Sequence, residues 1–98
     1  MKQIIIDGQK MRTKAAAHAE LKRVFKFPPH YGANLDALWD CLTELSEPVG
    51  AKFVHSDVMV ESVGPDGLSI LQTIIEAAIK NPNLKLEIDW EEDEDEEE

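Results

Sequence analysis

The stretch NLDALWDCLTEL, residues 34–45, decides how the rest of the chain is read. Asn34 is a preferred helix N-cap, and Leu35, Leu38, Leu42 and Leu45 then recur at the spacing of an apolar stripe that lies on a core. At about 100° per residue, Asp36, Asp40 and Glu44 gather on the opposite side, with Thr43 among them and Trp39 on the border. These acids stand four residues apart, and each like-charged pair at that spacing costs an isolated helix about 0.2–0.5 kcal/mol. Solvated helix faces ordinarily mix signs, yet no Lys or Arg occurs from Phe27 to Ala51. The pattern is that of a helix offering fixed negative charge to something outside the molecule.

Upstream, Phe27-Pro28-Pro29 ends a helix through KAAAHAELKRVF, because proline lacks the helical N–H and biases its predecessor to extended geometry. Thr13 is placed to cap that helix, and KQIIID before it is a β-branched run closed by Asp7-Gly8, hence a strand and a turn. In the approach to Asn34, Gly32 allows a turn, and His30 and Tyr31 set aromatic groups beside the first acid. Downstream, AKFVHSD is a strand candidate and residues 57–63 a short helix. Gly64-Pro65-Asp66-Gly67 is expected to turn the chain before a strongly periodic helix, LSILQTIIEAAIK, which Asn81-Pro82 stops. The last strand is LKLEID. The order β-α-α-β-(α)-α-β favours a parallel sheet with helical crossovers, an α/β domain.

Charge divides the chain at residue 90. The formal net charge is −10 over 98 residues, and the last eight, EEDEDEEE, are all acidic, leaving 12 acids against 10 bases in residues 1–90. Residues 1–90 are therefore read as one domain, and 91–98 as a tail too self-repelling to fold. No apolar run approaches the eighteen or so residues of a membrane span, and IIID is too short for a secretory core, so a soluble cytoplasmic protein is expected. Cys41 stands alone, which rules out an internal disulfide. The acidic balance argues against direct nucleic-acid binding, which needs Lys and Arg to replace phosphate counterions; Lys10, Arg12, Lys14, Lys22, Arg23 and Lys26 read instead as a solvated basic face.

Catalytic and metal chemistry find no constellation. His18 and His55 lack Cys or His neighbours at ligand spacing, so neither a zinc site nor any cofactor is expected. A calcium site normally wraps a loop around the ion, unlike Asp36, Asp40 and Glu44 along one helix. One face also cannot set Asp36 and Asp40 across a glycosidic bond. There is no Gly-rich phosphate loop and no nucleophile elbow.

Residues 27–42, FPPHYGANLDALWDCL, closely resemble the signature segment of the barstar family, intracellular protein inhibitors of secreted ribonucleases such as barnase. The likeness extends to the first strand with Asp7-Gly8, the Thr-capped helix, LSILQTIIEAA and the last strand, and so to all but the acidic tail. It implies a three-stranded parallel sheet packed with three to four helices, and a partner-binding surface on the second helix and the loop before it. By that resemblance Asp40 is the acid that enters the ribonuclease active site and Asp36 the second acid. Tyr31 and Gly32 belong to the loop, Asn34 and Leu35 to the helix start, and Trp39 and Thr43 to the flanking contacts. Glu76 is a peripheral acid on a later helix. The sequence departs from the prototype at Pro29, His30 and Glu44, which bears on the identity of the partner more than on the mode of binding. The partner implied is a basic ribonuclease, extracellular or part of a toxin, bound one to one by a monomer. The alternative is an interaction module of the same shape whose partner is not a nuclease.

Overall fold

In a computed structural model of the chain, which describes residues 1–89, three strands form one parallel sheet. They are β1 (Lys2–Asp7), β2 (Val49–Val54) and β3 (Leu84–Asp89), in the order β1-β2-β3. Lys2, Val49 and Leu84 are in register, as are Ile6, Phe53 and Ile88. Side chains alternate across a pleated sheet, so Ile4 and Ile6, Val49, Ala51 and Phe53, and Leu84, Leu86 and Ile88 share one face, and all belong to or pack on the core. On the other face Gln3, Ile5, Lys52, Lys85 and Glu87 are exposed, Ile5 by 59%. The helices thus lie on one side, an unusual layout for a parallel sheet, whose two faces are normally both covered.

The helices are α1 (Lys14–Phe25), α2 (Leu35–Thr43), α3 (Ser56–Val63) and α4 (Pro65–Lys80), with a 3₁₀ turn over Gly8–Lys10. Ile6, Met11, Leu21, Leu38, Leu42, Phe53, Met59, Ile70 and Ile74 form the fully buried centre. Thr13 caps α1 as expected, its Oγ1 accepting from the Ala16 N–H at 3.0 Å. The turn at Asp7-Gly8 has a steric reason, since a Cβ on Gly8 would collide with the His55 carbonyl.

Three elements differ from the sequence reading by two residues or more, while α3 starts one residue early at Ser56. Strand β2 starts at Val49, two residues early, because Val49 and Gly50 pair with β1; it ends before His55, which is left-handed at φ 56°. Pro65 and Gly67 belong to α4 rather than to a turn: proline is pre-organised for the first helical position, and Gly67 lets α4 approach the Met59 carbonyl of α3. Helix α2 stops at Thr43, so Glu44 is its C-cap (φ −96°, ψ 1°) and Leu45 lies beyond it. Trp90, the end of the expected domain, and the acidic tail 91–98 lie outside the described residues.

Candidate partner-binding surface

Helix α2 is fixed at both ends. Leu38 and Leu42 sink fully into the core, and the Asn34 side chain accepts the Ala37 N–H at 2.8 Å. At the far end a helix leaves carbonyls without intrahelical donors, and the corner between α4 and β3 supplies them. The Asn81 side-chain amide donates to the Leu42 and Leu45 carbonyls at 3.0 and 3.1 Å, and Asn83 donates to Leu45 at 3.0 Å. Asn81 is itself buried, and its Oδ1 accepts the Asn83 N–H at 3.0 Å.

The acids project from this fixed rod. Asp36, Asp40 and Glu44 are all exposed, and among the described residues the ion pair within 4.0 Å is Arg23–Glu20, on α1. Asp36 sits in the first turn, where the helix dipole favours an anion; Asp40 and Glu44 stand near the opposite end, where no basic residue offsets them. The structure adds one cation that the segment alone does not reveal. Lys14 of α1 joins Asn34, Leu35, Asp36, Asp66 and Ile70 in lining a cleft of about 270 Å³. Beside the acids, Cys41 is half-buried; burial, then the charges of Glu44 and Asp40, push its thiol up, which favours the protonated form.

The loop before α2 is built on aromatic packing. Lys26 ends α1 in the left-handed region at φ 58°, and the chain turns so that Phe27 stacks on Phe25 at 5.4 Å. Tyr31 packs on Phe27 at 4.8 Å, and its hydroxyl shares a 2.7 Å hydrogen bond with Nδ1 of His18. His18 is 2% exposed, and its Nε2 has no hydrogen-bond partner. Burial, then the nearby Lys14 charge, lowers the His18 pKa, which keeps the ring neutral. Burial, with a smaller contribution from Cys41, pushes Tyr31 up to about 12, so the phenol keeps its proton. Gly32, expected to make the turn, does not adopt a positive φ; Ala33 does, at 54°. A left-handed alanine costs about 1–2 kcal/mol, and here it sits directly before the cap of the acidic helix.

Around the acids, His30, Gly32, Asn34 and Leu35 are exposed, Leu35 by 40% although the stripe suggested burial. Tyr31, Trp39 and Thr43 are half-buried. Trp39 packs against the core with part of its ring in water, and the Thr43 hydroxyl donates back to the Trp39 carbonyl at 2.7 Å. Glu76 is exposed on α4, the helix that packs on α2. Among the described residues no three His, Cys, Asp or Glu side chains are grouped to hold a metal ion. His18, read from the sequence only as lacking metal-ligand neighbours, Asn81, read only as a helix stop, and Asn83, not singled out, are the residues that hold this surface from behind. The pattern Asn-Pro-Asn after a helix was the available signal, since a buried Asn at a helix end has backbone groups to satisfy.

This arrangement, a rigid helix with unpaired carboxylates and half-buried aromatic flanks, suits docking against a cationic surface. The family described as "Barstar (barnase inhibitor)" matches residues 1–94. The Bacillus subtilis (strain 168) protein named "Putative ribonuclease inhibitor YrdF" is 41% identical over 76 residues, covering 74% of this chain and 84% of that protein. Sheet order, parallel strands and helices agree with the fold that the sequence resemblance implied. The chain belongs to the Barstar family.

Proposed function

We propose that the protein inhibits a basic ribonuclease by inserting the carboxylates of α2 into its active site. A ribonuclease site is built from Arg, Lys and His groups that hold a phosphodiester. A carboxylate delivered there takes the same charge-assisted hydrogen bonds and offers no phosphorus to attack. Asp40 enters the site and Asp36 supports it. Tyr31, His30, Gly32, Asn34, Leu35, Trp39, Thr43 and Glu44 line the contact, and Glu76 meets the enzyme's basic periphery. The partner is a secreted or toxin ribonuclease, held one to one by a cytoplasmic monomer.

The observation that carries this reading is that α2 is pinned at both ends while its acids lie exposed, without an ion-pair partner among the described residues. Family membership and the name of the B. subtilis relative, "Putative ribonuclease inhibitor YrdF", support it. The test is RNA hydrolysis by purified basic ribonucleases, barnase among them, with and without the protein, together with capture of partners from the native host. Stoichiometric loss of hydrolysis is expected for a captured ribonuclease. A captured partner without nuclease activity, and no inhibition of any ribonuclease, would replace this reading with that of an interaction module.

A further inference from the structure

The loop that leads into α2 is tied at its middle to a buried side chain. It runs from Phe27 to Ala33, and both ends are marked by non-glycine residues in the left-handed region, Lys26 at φ 58° and Ala33 at φ 54°. Such backbone is costly and persists where the surroundings fix it. Among the described residues, three side-chain hydrogen bonds reach this loop. Two are exposed and long, from Lys22 Nζ to the Pro29 carbonyl and from Asn34 Nδ2 to the Gly32 carbonyl, both at 3.4 Å. The third joins the Tyr31 hydroxyl to Nδ1 of His18 at 2.7 Å and is partly buried.

We propose that His18 is a positioning residue for partner recognition, holding the loop, through Tyr31, in the shape that the partner meets. This rests on the reading of α2 and its loop as the partner-binding surface. His18 lies on α1 and is 2% exposed, so it acts from behind that surface. Its Nε2 is already without a hydrogen-bond partner, and loss of Tyr31 would leave both ring nitrogens buried and unpaired, which is penalised. The imidazole therefore resists release of the hydroxyl and keeps the Tyr31 ring on Phe27, itself stacked on Phe25 of α1. Tyr31 is half-buried, while His30 and Gly32 on either side of it are exposed, so the tie sets residues that do face outward. A loop ordered before the encounter spares the complex the cost of ordering it.

Amide hydrogen exchange in the free full chain tests the tie without a partner. The Tyr31 N–H, bonded to the Pro28 carbonyl at 3.0 Å, reports on the loop, and the N–H groups of the buried Phe53 and Ile74 report on the core. His18→Leu is expected to speed exchange at Tyr31 by about five- to tenfold beyond any change in the core, the worth of one net hydrogen bond. His18→Asn, whose side-chain amide stands where Nδ1 stood, is expected to restore part of the protection. In a Tyr31→Phe background, His18→Leu is expected to add nothing at the loop. An effect of His18→Leu at Tyr31 no larger than in the core, or equal with and without the hydroxyl, overturns the proposal. Titration calorimetry of the same variants with barnase, or with a partner captured from the native host, is expected to show affinity falling in step with loop exchange. Unchanged affinity in a variant with a loosened loop also overturns the positioning role. A native protein that binds no partner, with the exchange pattern as expected, sinks instead the reading of the surface on which the proposal rests.

Discussion

Asp40 stands on the exposed face of α2 with no cation within ion-pairing distance among the described residues, so its replacement separates binding from folding. Asp40→Ala is expected to weaken ribonuclease binding by about 2–5 kcal/mol, a range to which barnase–barstar measurements of this same family contribute. Stability should change by no more than about 0.5 kcal/mol, as for other surface sites. Titration calorimetry beside urea unfolding reads both numbers, and unchanged affinity would take Asp40 out of the contact. His18 gives a prediction in the opposite sense, on stability. Its pKa lies below the ordinary 6.5, first because of burial and then because of Lys14. As the pH falls past 6.5 the unfolded chain takes up a proton that the native ring refuses, so stability is fully present above that pH and is lost through the lowered native value. Urea midpoints on either side of pH 6.5 are expected to differ in the native protein and to differ less in His18→Gln; equal shifts would exonerate the histidine. The acids were legible in the sequence because helical spacing alone sets their face. The tie between His18 and Tyr31 was not, since it joins residues 13 positions apart through a fold that spacing does not describe.

At the scale of elements, α2 depends on a corner that follows it by some forty residues in the chain. Asn81→Ala removes the donor to the buried Leu42 carbonyl, while Asn83 still serves Leu45. A buried group left unpaired costs about 1–3 kcal/mol, and that loss should appear in urea unfolding. Ribonuclease affinity should fall with it, because the helix end that carries Asp40 and Glu44 is loosened. Native stability in the variant would mean that the leucines alone hold α2. Most elements could be read from caps and periodicity: Thr13 and Asn34 start their helices where expected, and β1 and β3 span the expected residues. The misplacements at β2 and α4 share a cause. Gly50 and Gly67 are turn-forming residues, and strand pairing draws the first into β2 while close packing on α3 draws the second into α4, whose start Pro65 also favours.

For the whole molecule, charge is segregated more than it is excessive. Lys10, Arg12, Lys14, Lys22, Arg23 and Lys26 belong to the first half, and the acids of α2 face away from the core. Association with a basic ribonuclease is therefore expected to be steered by charge. Its rate constant should fall by on the order of ten- to a hundredfold as salt rises from low ionic strength to about 1 M, where the Debye length shrinks to about 3 Å. Stopped-flow mixing across a salt series checks this, and a flat series would leave the acids without a part in the encounter. The parallel α/β architecture could be inferred from the order of elements, whereas its one-sidedness could not, because the unbroken apolar run Ile4-Ile5-Ile6 does not say which face of the sheet is covered. That bare side of the sheet has a practical meaning. A linker, dye or bead coupled at Lys52 or Lys85 would attach to the floor of the molecule, so an immobilised sample would hold α2 outward, free to meet whatever flows past.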